Sequence, residues 1–93
     1  MDEAKKRAKA LLFARQQAYQ KVFATKSKTT GESVKIVLAD LKKFCRQNES
    51  CFDPDPRIHA AFEGRREVII RILGHLELPQ ATLWEFYTGE SDD

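Results

Sequence analysis

Long apolar runs, paired metal-ligand spacings and strand-like alternation are all missing from this chain of 93 residues. A helix that crosses a bilayer needs roughly 18 consecutive apolar residues. Here Val68-Ile69-Ile70 stops at Arg71, and the stretch from Ala8 to Ala14 is broken by Lys9. No membrane insertion is expected, and the basic N-terminus does not read as a secretory leader. Two cysteines are too few for a disulfide framework, so a reducing intracellular setting is the simpler expectation. The three prolines sit at positions 54, 56 and 79, leaving long stretches without a helix breaker. No internal repeat or hairpin signal competes with a helical reading.

What is present suffices for one small core. A 42% apolar composition with six Phe, two Tyr and one Trp argues against wholesale disorder despite the 32% charged content. A chain of this length makes a single domain, 1–93, with a net stability of about 5 to 10 kcal/mol. The overall charge of +2 conceals a division. Residues 1–28 hold eight Lys or Arg against two acids, and residues 29–93 hold eight against twelve. A basic first segment suits either an acidic partner surface or nucleic acid, or is a solvated helix end.

Apolar spacing predicts four helices, at about 2–24, 32–48, 56–76 and 80–88, followed by an acidic tail over 89–93. In the first, Ala8, Leu11, Leu12, Tyr19, Val22 and Phe23 share a side. A polar connection from Thr25 to Gly31 follows, with Thr29 and Glu32 spaced as a capping box and Ser33 as a competing start. The second helix has the cleanest stripe: Val34, Val37, Leu38, Leu41, Phe44 and Cys45. The turn Asp53-Pro54-Asp55-Pro56 then offers Asp55 as an N-cap with Pro56 at the first helical position. Ile58, Ala61, Phe62, Ile69, Ile72, Leu73 and Leu76 stripe the third helix, with Arg65 where an apolar residue is due. Leu83, Trp84 and Tyr87 mark the fourth.

The fold class is therefore all-α: a small three-helix bundle with a short fourth C-terminal helix. Two long antiparallel helices are expected, with the third across them. The core should include Leu12, Tyr19, Val22, Phe23, Val37, Leu38, Leu41, Phe44, Ile58, Phe62, Ile69, Ile72, Leu73, Leu83 and Trp84.

Glu63-Gly64-Arg65-Arg66-Glu67 is the candidate site with two readings. In one, Arg65 and Arg66 pair with Glu63, Glu67, Asp53 or Asp55, clamping the loop to the helix. In the other, a subunit or partner docks over Gly64, with arginine as its anchor. Asp55, His59 and Glu63 follow at i,i+4 spacing, but no nucleophile or oxyanion donor accompanies them. No enzyme activity is expected. Cys45, Cys51, His59 and His75 lack any close ligand pair, so no metal and no cofactor is expected. Cys45 and Cys51 are spaced to allow a disulfide that nothing requires. Lys5, Lys6, Arg7 and Lys9 spread around the first helix and permit weak phosphate attraction, without a groove-reading signature. Trp84, Phe86 and Tyr87 add an apolar anchor for a partner.

The blocks ARQQAYQKVF (14–23), LADLKKFCRQNES (38–50) and FDPDPRIHAAFEGRREVIIRI (52–72) resemble the Bordetella-phage-type small proteins, encoded near the head genes of tailed bacteriophages and prophages. The third block is the most specific, because its DPDPR loop and EGRRE helix occur together. Relative to that pattern Lys26 to Ser33 is long and polar, which leaves the geometry between the first two helices open. The resemblance implies a non-enzymatic virion or morphogenesis component. Its partners would be phage structural proteins or a second copy, in the host cytoplasm or associated with the particle. The alternative is a small regulator or inhibitor that binds a host protein or nucleic acid.

Overall fold

A computed structural model describes residues 2–23 and 28–91. Part of the Thr25–Gly31 connection and the last two acids of the tail lie outside the described residues. Four helices follow in order: α1 (Glu3–Phe23), α2 (Lys28–Phe44), α3 (Pro56–Glu77) and α4 (Gln80–Thr88). The described residues contain no strand, and the protein is all-α.

Local chemistry sets the ends. Asp2 caps α1, its Oδ1 accepting from the Lys5 amide at 2.7 Å. Asp55 caps α3 as its position before Pro56 predicts, accepting from the Arg57 amide at 2.9 Å. Asp53 accepts from the Asp55 amide at 2.9 Å, which makes the paired turn self-supporting. Gly89, with φ of 73°, closes α4 through its amide to Glu85 O.

The second helix departs from the expected 32–48 at both ends. It begins at Lys28, because the KTTG run carries no proline to stop the helix extending backwards, and the Thr29–Glu32 capping box is not its start. It ends at Phe44, where Arg46 turns the chain in the left-handed region at φ 56°. The amides of Arg46 and Gln47 bond back to Lys43 O and Lys42 O, the two bonds of a Schellman stop. An arginine fills the place usually taken by glycine, at a cost of about 1 to 2 kcal/mol.

The packing is centred on α3. Its main partner is α1; α2 packs more lightly on α3, and α4 packs on α1. The expected α1–α2 pair is thus not the frame of the fold, because the buried end of the α2 stripe turns to α3. Leu38, Leu41 and Cys45 pack around Ile69 and Ile72, together with Tyr19 and Phe23 of α1. Leu12, Leu83 and Trp84 make a second cluster where α1 meets α4.

Four expected core residues, Val22, Val37, Phe44 and Ile58, are instead exposed. Two of them, Val37 and Phe44, are on α2, where none of the described side chains is fully buried, because no further described element covers the outer half of its stripe. The molecule is correspondingly flat, 46 × 39 × 15 Å. Its radius of gyration is 15.9 Å, where about 12 Å is usual for this length.

Candidate interaction surface

Two arginine-centred arrangements hold the helices in place. In the first, His75 of α3 is completely buried where α1, α3 and α4 meet. Arg15 Nε of α1 donates to His75 Nε2 at 2.9 Å, and His75 Nδ1 lies 2.7 Å from Arg71 O. Arginine has no acceptor, so Nε2 must be the unprotonated nitrogen and Nδ1–H the donor to the carbonyl. The imidazole is a neutral, fixed tautomer. Burial pushes its pKa down, opposed by the Arg71 carbonyl bond and aided by the charges of Arg15 and Arg71.

Tyr19 stacks on His75 at 4.3 Å, and the guanidinium carbons of Arg15 and Arg71 lie 5.2 and 5.3 Å from the Tyr87 ring centre. Buried Gln16 donates to Leu78 O at 2.7 Å, tying α1 to the turn before α4. Trp84 Nε1 is buried without a hydrogen-bond acceptor.

In the second arrangement Arg46 fixes the loop between α2 and α3. Its Nε and Nη2 both donate to Ser50 O at 3.0 and 2.7 Å, and its guanidinium lies over the Phe62 ring at 4.3 Å. This is the clamp that the sequence reading assigned to Arg65 with Asp53, Asp55, Glu63 and Glu67. Among the described residues no ion pair joins Arg65 or Arg66 to those acids. Arg65 lies instead on aromatic faces, 4.6 Å from the Phe44 centre and 5.7 Å from that of Phe62. An electron-rich ring offers a cation a partner across the α2–α3 seam, while Asp53 and Asp55 are committed to backbone amides.

The residues expected to meet a partner divide by exposure. Lys6, Arg7, Gly64, Arg65 and Phe86 are exposed, while Lys5, Arg66 and Tyr87 are half-buried. Lys9 and Trp84 are covered, the ammonium of Lys9 lying 5.4 Å from the Trp84 ring centre. Neither presents a free face to a partner. The Asp55, His59, Glu63 row has no relay geometry, because the Asp55 carboxylate caps α3 and His59 Nδ1 lies 2.9 Å from Cys51 O. Cys45 and Cys51 are buried free thiols. Among the described residues no cluster of His, Cys, Asp or Glu is arranged to hold a metal ion.

Apolar surface remains on the outside of α3. Val68 and Arg71 stand between two hollows, one walled by Val22 and Phe23 of α1, the other by Phe86 and Tyr87 of α4. The first hollow continues past Phe23 to Val34 and Val37 of α2. Of the residues expected to meet a partner, Gly64, Phe86 and Tyr87 border these hollows, and so do Val22 and Val37, which the apolar period places in the core.

A family model for the Bbp19-like phage proteins matches residues 19–85. The chain belongs to that family. The match takes in the end of α1, all of α2 and α3 and most of α4, so both the Arg46 loop and the α3 outer face of this Bbp19-like protein lie within it. Lys5, Lys6, Arg7 and Lys9 precede the matched segment, and Phe86 and Tyr87 follow it. Neither the curated proteins nor the solved structures supplied a match.

Proposed function

We propose that this Bbp19-like phage protein is a non-enzymatic protein-interaction module that serves assembly of the phage head or tail. The observation that carries the reading is the apolar band on the outside of α3, where Val22, Val68, Ile70 and Phe86 are all exposed. Exposed apolar patches of this extent on a small protein mark a contact surface. Among the described residues, His75 is sealed in the core with both ring nitrogens engaged and its pKa lowered by burial, which supports binding over catalysis. No helix among the described residues is long and apolar enough to cross a membrane. The proposed location is the host bacterial cytoplasm, with passage into the particle.

Mass spectrometry of purified particles and of assembly intermediates tests the proposal. Detection in either supports it, and absence from both sinks it. A second reading, contact with nucleic acid, is favoured by the exposed side chains of Lys6 and Arg7 beside Lys5. It requires salt-sensitive DNA binding that disappears when all three are replaced by Ala.

A further inference from the structure

The outer face of α3, read backwards, matches itself in size and is complementary to itself in charge. Gly64, Glu67, Arg71 and Gly74 form one stripe at spacings of three and four residues, flanked by exposed Val68 and Ile70. Reversal about Ile69 exchanges Gly64 with Gly74, Glu67 with Arg71, and Val68 with Ile70. Ile69 itself is fully buried on the opposite side of the helix. A two-fold axis through the outer surface at that level would set two α3 helices antiparallel. Each acid would then face a base, and each glycine a glycine. Isologous contacts require this property, that residue i meets j while j meets i.

From this pattern we infer that the partner of the α3 outer face is a second copy of the same chain, paired antiparallel about Ile69. The inference rests on the interaction-module reading and names its first partner.

Further observations support a second copy. The accessible surface is 6816 Å², against roughly 5,500 Å² for an ordinary monomer of this mass. The surplus exceeds the roughly 800 Å² per subunit that a standard interface needs. Gly64 has no internal reason to lack a side chain, since a Cβ there would meet nothing within 4 Å. A neighbouring helix seated on the stripe gives it one, because close backbone approach needs a small residue. The Val68–Arg71 ridge of one copy has a hollow on either side of the same ridge in the other to receive it. Glu67 and Arg71 form no ion pair with any described residue of their own chain, Arg71 resting on the Tyr87 ring, so neither charge has an acid or base of its own chain to give up across the axis.

Charge reversal gives a specific test by sedimentation equilibrium or native mass spectrometry of the full chain. The wild type is expected to be a dimer. Glu67→Arg sets Arg against Arg, and Arg71→Glu sets Glu against Glu. Each single variant should raise the dimer dissociation constant by about tenfold or more. Mixing the two variants should produce heterodimers, because both cross-axis pairs are then opposite in sign, and the double variant E67R/R71E should self-associate again. Far-UV circular dichroism checks that each variant keeps its helices, and heterodimer formation is itself proof that both fold. A wild type that stays monomeric at about 100 μM overturns the inference. So does a wild-type dimer indifferent to both single reversals. A monomer found in particles would end self-pairing and leave the assembly reading standing, while a charge-dependent dimer absent from particles and intermediates would do the reverse.

Discussion

α2 and α3 pack against each other, yet they teach opposite lessons about amphipathicity. The stripe of α2, from Val34 to Cys45, is the most regular in the chain, but none of the described side chains of that helix is fully buried. The stripe of α3 is interrupted by Arg65, and its helix contains Ile69 and His75, two of the most deeply buried side chains. A periodic pattern fixes which face of a helix is apolar. The elements on the other side decide how much of that face leaves water: α3 packs along α1 and also meets α2 and the Tyr87 side chain of α4, whereas α2 has α3 as its main partner.

The sharpest way to break this contrast is to shorten one side chain in each helix. Ile69→Ala should cost about 3 kcal/mol or more, because the site is enclosed on all sides and leaves a cavity. Val37→Ala, at a position 48% exposed, should cost less than about 1 kcal/mol. Urea unfolding followed by circular dichroism compares them, and equal costs would contradict the flat arrangement.

Loss of the Arg15 acceptor comes next. His75→Phe keeps a ring against Tyr19 but strands the buried end of the Arg15 guanidinium, at a cost of about 1 to 3 kcal/mol. The same variant tests a pH effect. Burial holds the pKa of His75 below its ordinary value of 6.5, so the unfolded chain takes up the proton first as pH falls. Stability should therefore be level above about pH 7 and decline below it until the folded-state pKa is reached. In His75→Phe that part of the decline should vanish, and an unchanged profile would assign it elsewhere.

Arg46 separates the loop from both helices. Arg46→Ala keeps the unfavourable left-handed backbone and removes the Ser50 and Phe62 contacts, so it should cost about 1 to 2 kcal/mol. Arg46→Gly relieves the backbone while losing the same contacts, and should cost less than Arg46→Ala. Thermal denaturation of the pair resolves the order. The smallest change is a gain. Gly64→Ala, made in a Glu67→Arg background to hold the chain monomeric, should stabilise the fold by about 0.5 to 1 kcal/mol, as expected for a helix-interior glycine with open space beside it.

The sequence made the helices and the α3 cap legible because these are local. Asp55 before Pro56 needs only its neighbours to cap, and the period of the apolar residues needs only the helix itself. The centre of the molecule was less legible. His75 lies between Ile72 and Leu76 in the sequence, and its partner Arg15 is sixty residues away. No spacing rule links positions so far apart. Arg46 escaped notice because left-handed stops are ordinarily announced by glycine. Arg65 stands out in the sequence as a charge in an apolar stripe, but nearby acids are the partners spacing suggests, whereas it lies on the exposed ring of Phe44 on another helix. The surface was misjudged for the same reason as the core: Val22 and Val37 satisfy the period of a buried stripe, and only the placement of other helices shows that they stay wet.

The distance in sequence between Arg15 and His75, and between Gln16 and Leu78, also bears on the order of events during synthesis. These bonds close loops of 60 and 62 residues. While the chain is being made, α1 can form its own turns as it leaves the ribosome, but its central partner arrives only after α2, the loop and most of α3. Closing so long a loop is entropically demanding until the late contacts compensate it. The growing chain must therefore carry the apolar side of α1 without its partner until α3 is made. In this protein α1 is formed before the elements that secure it.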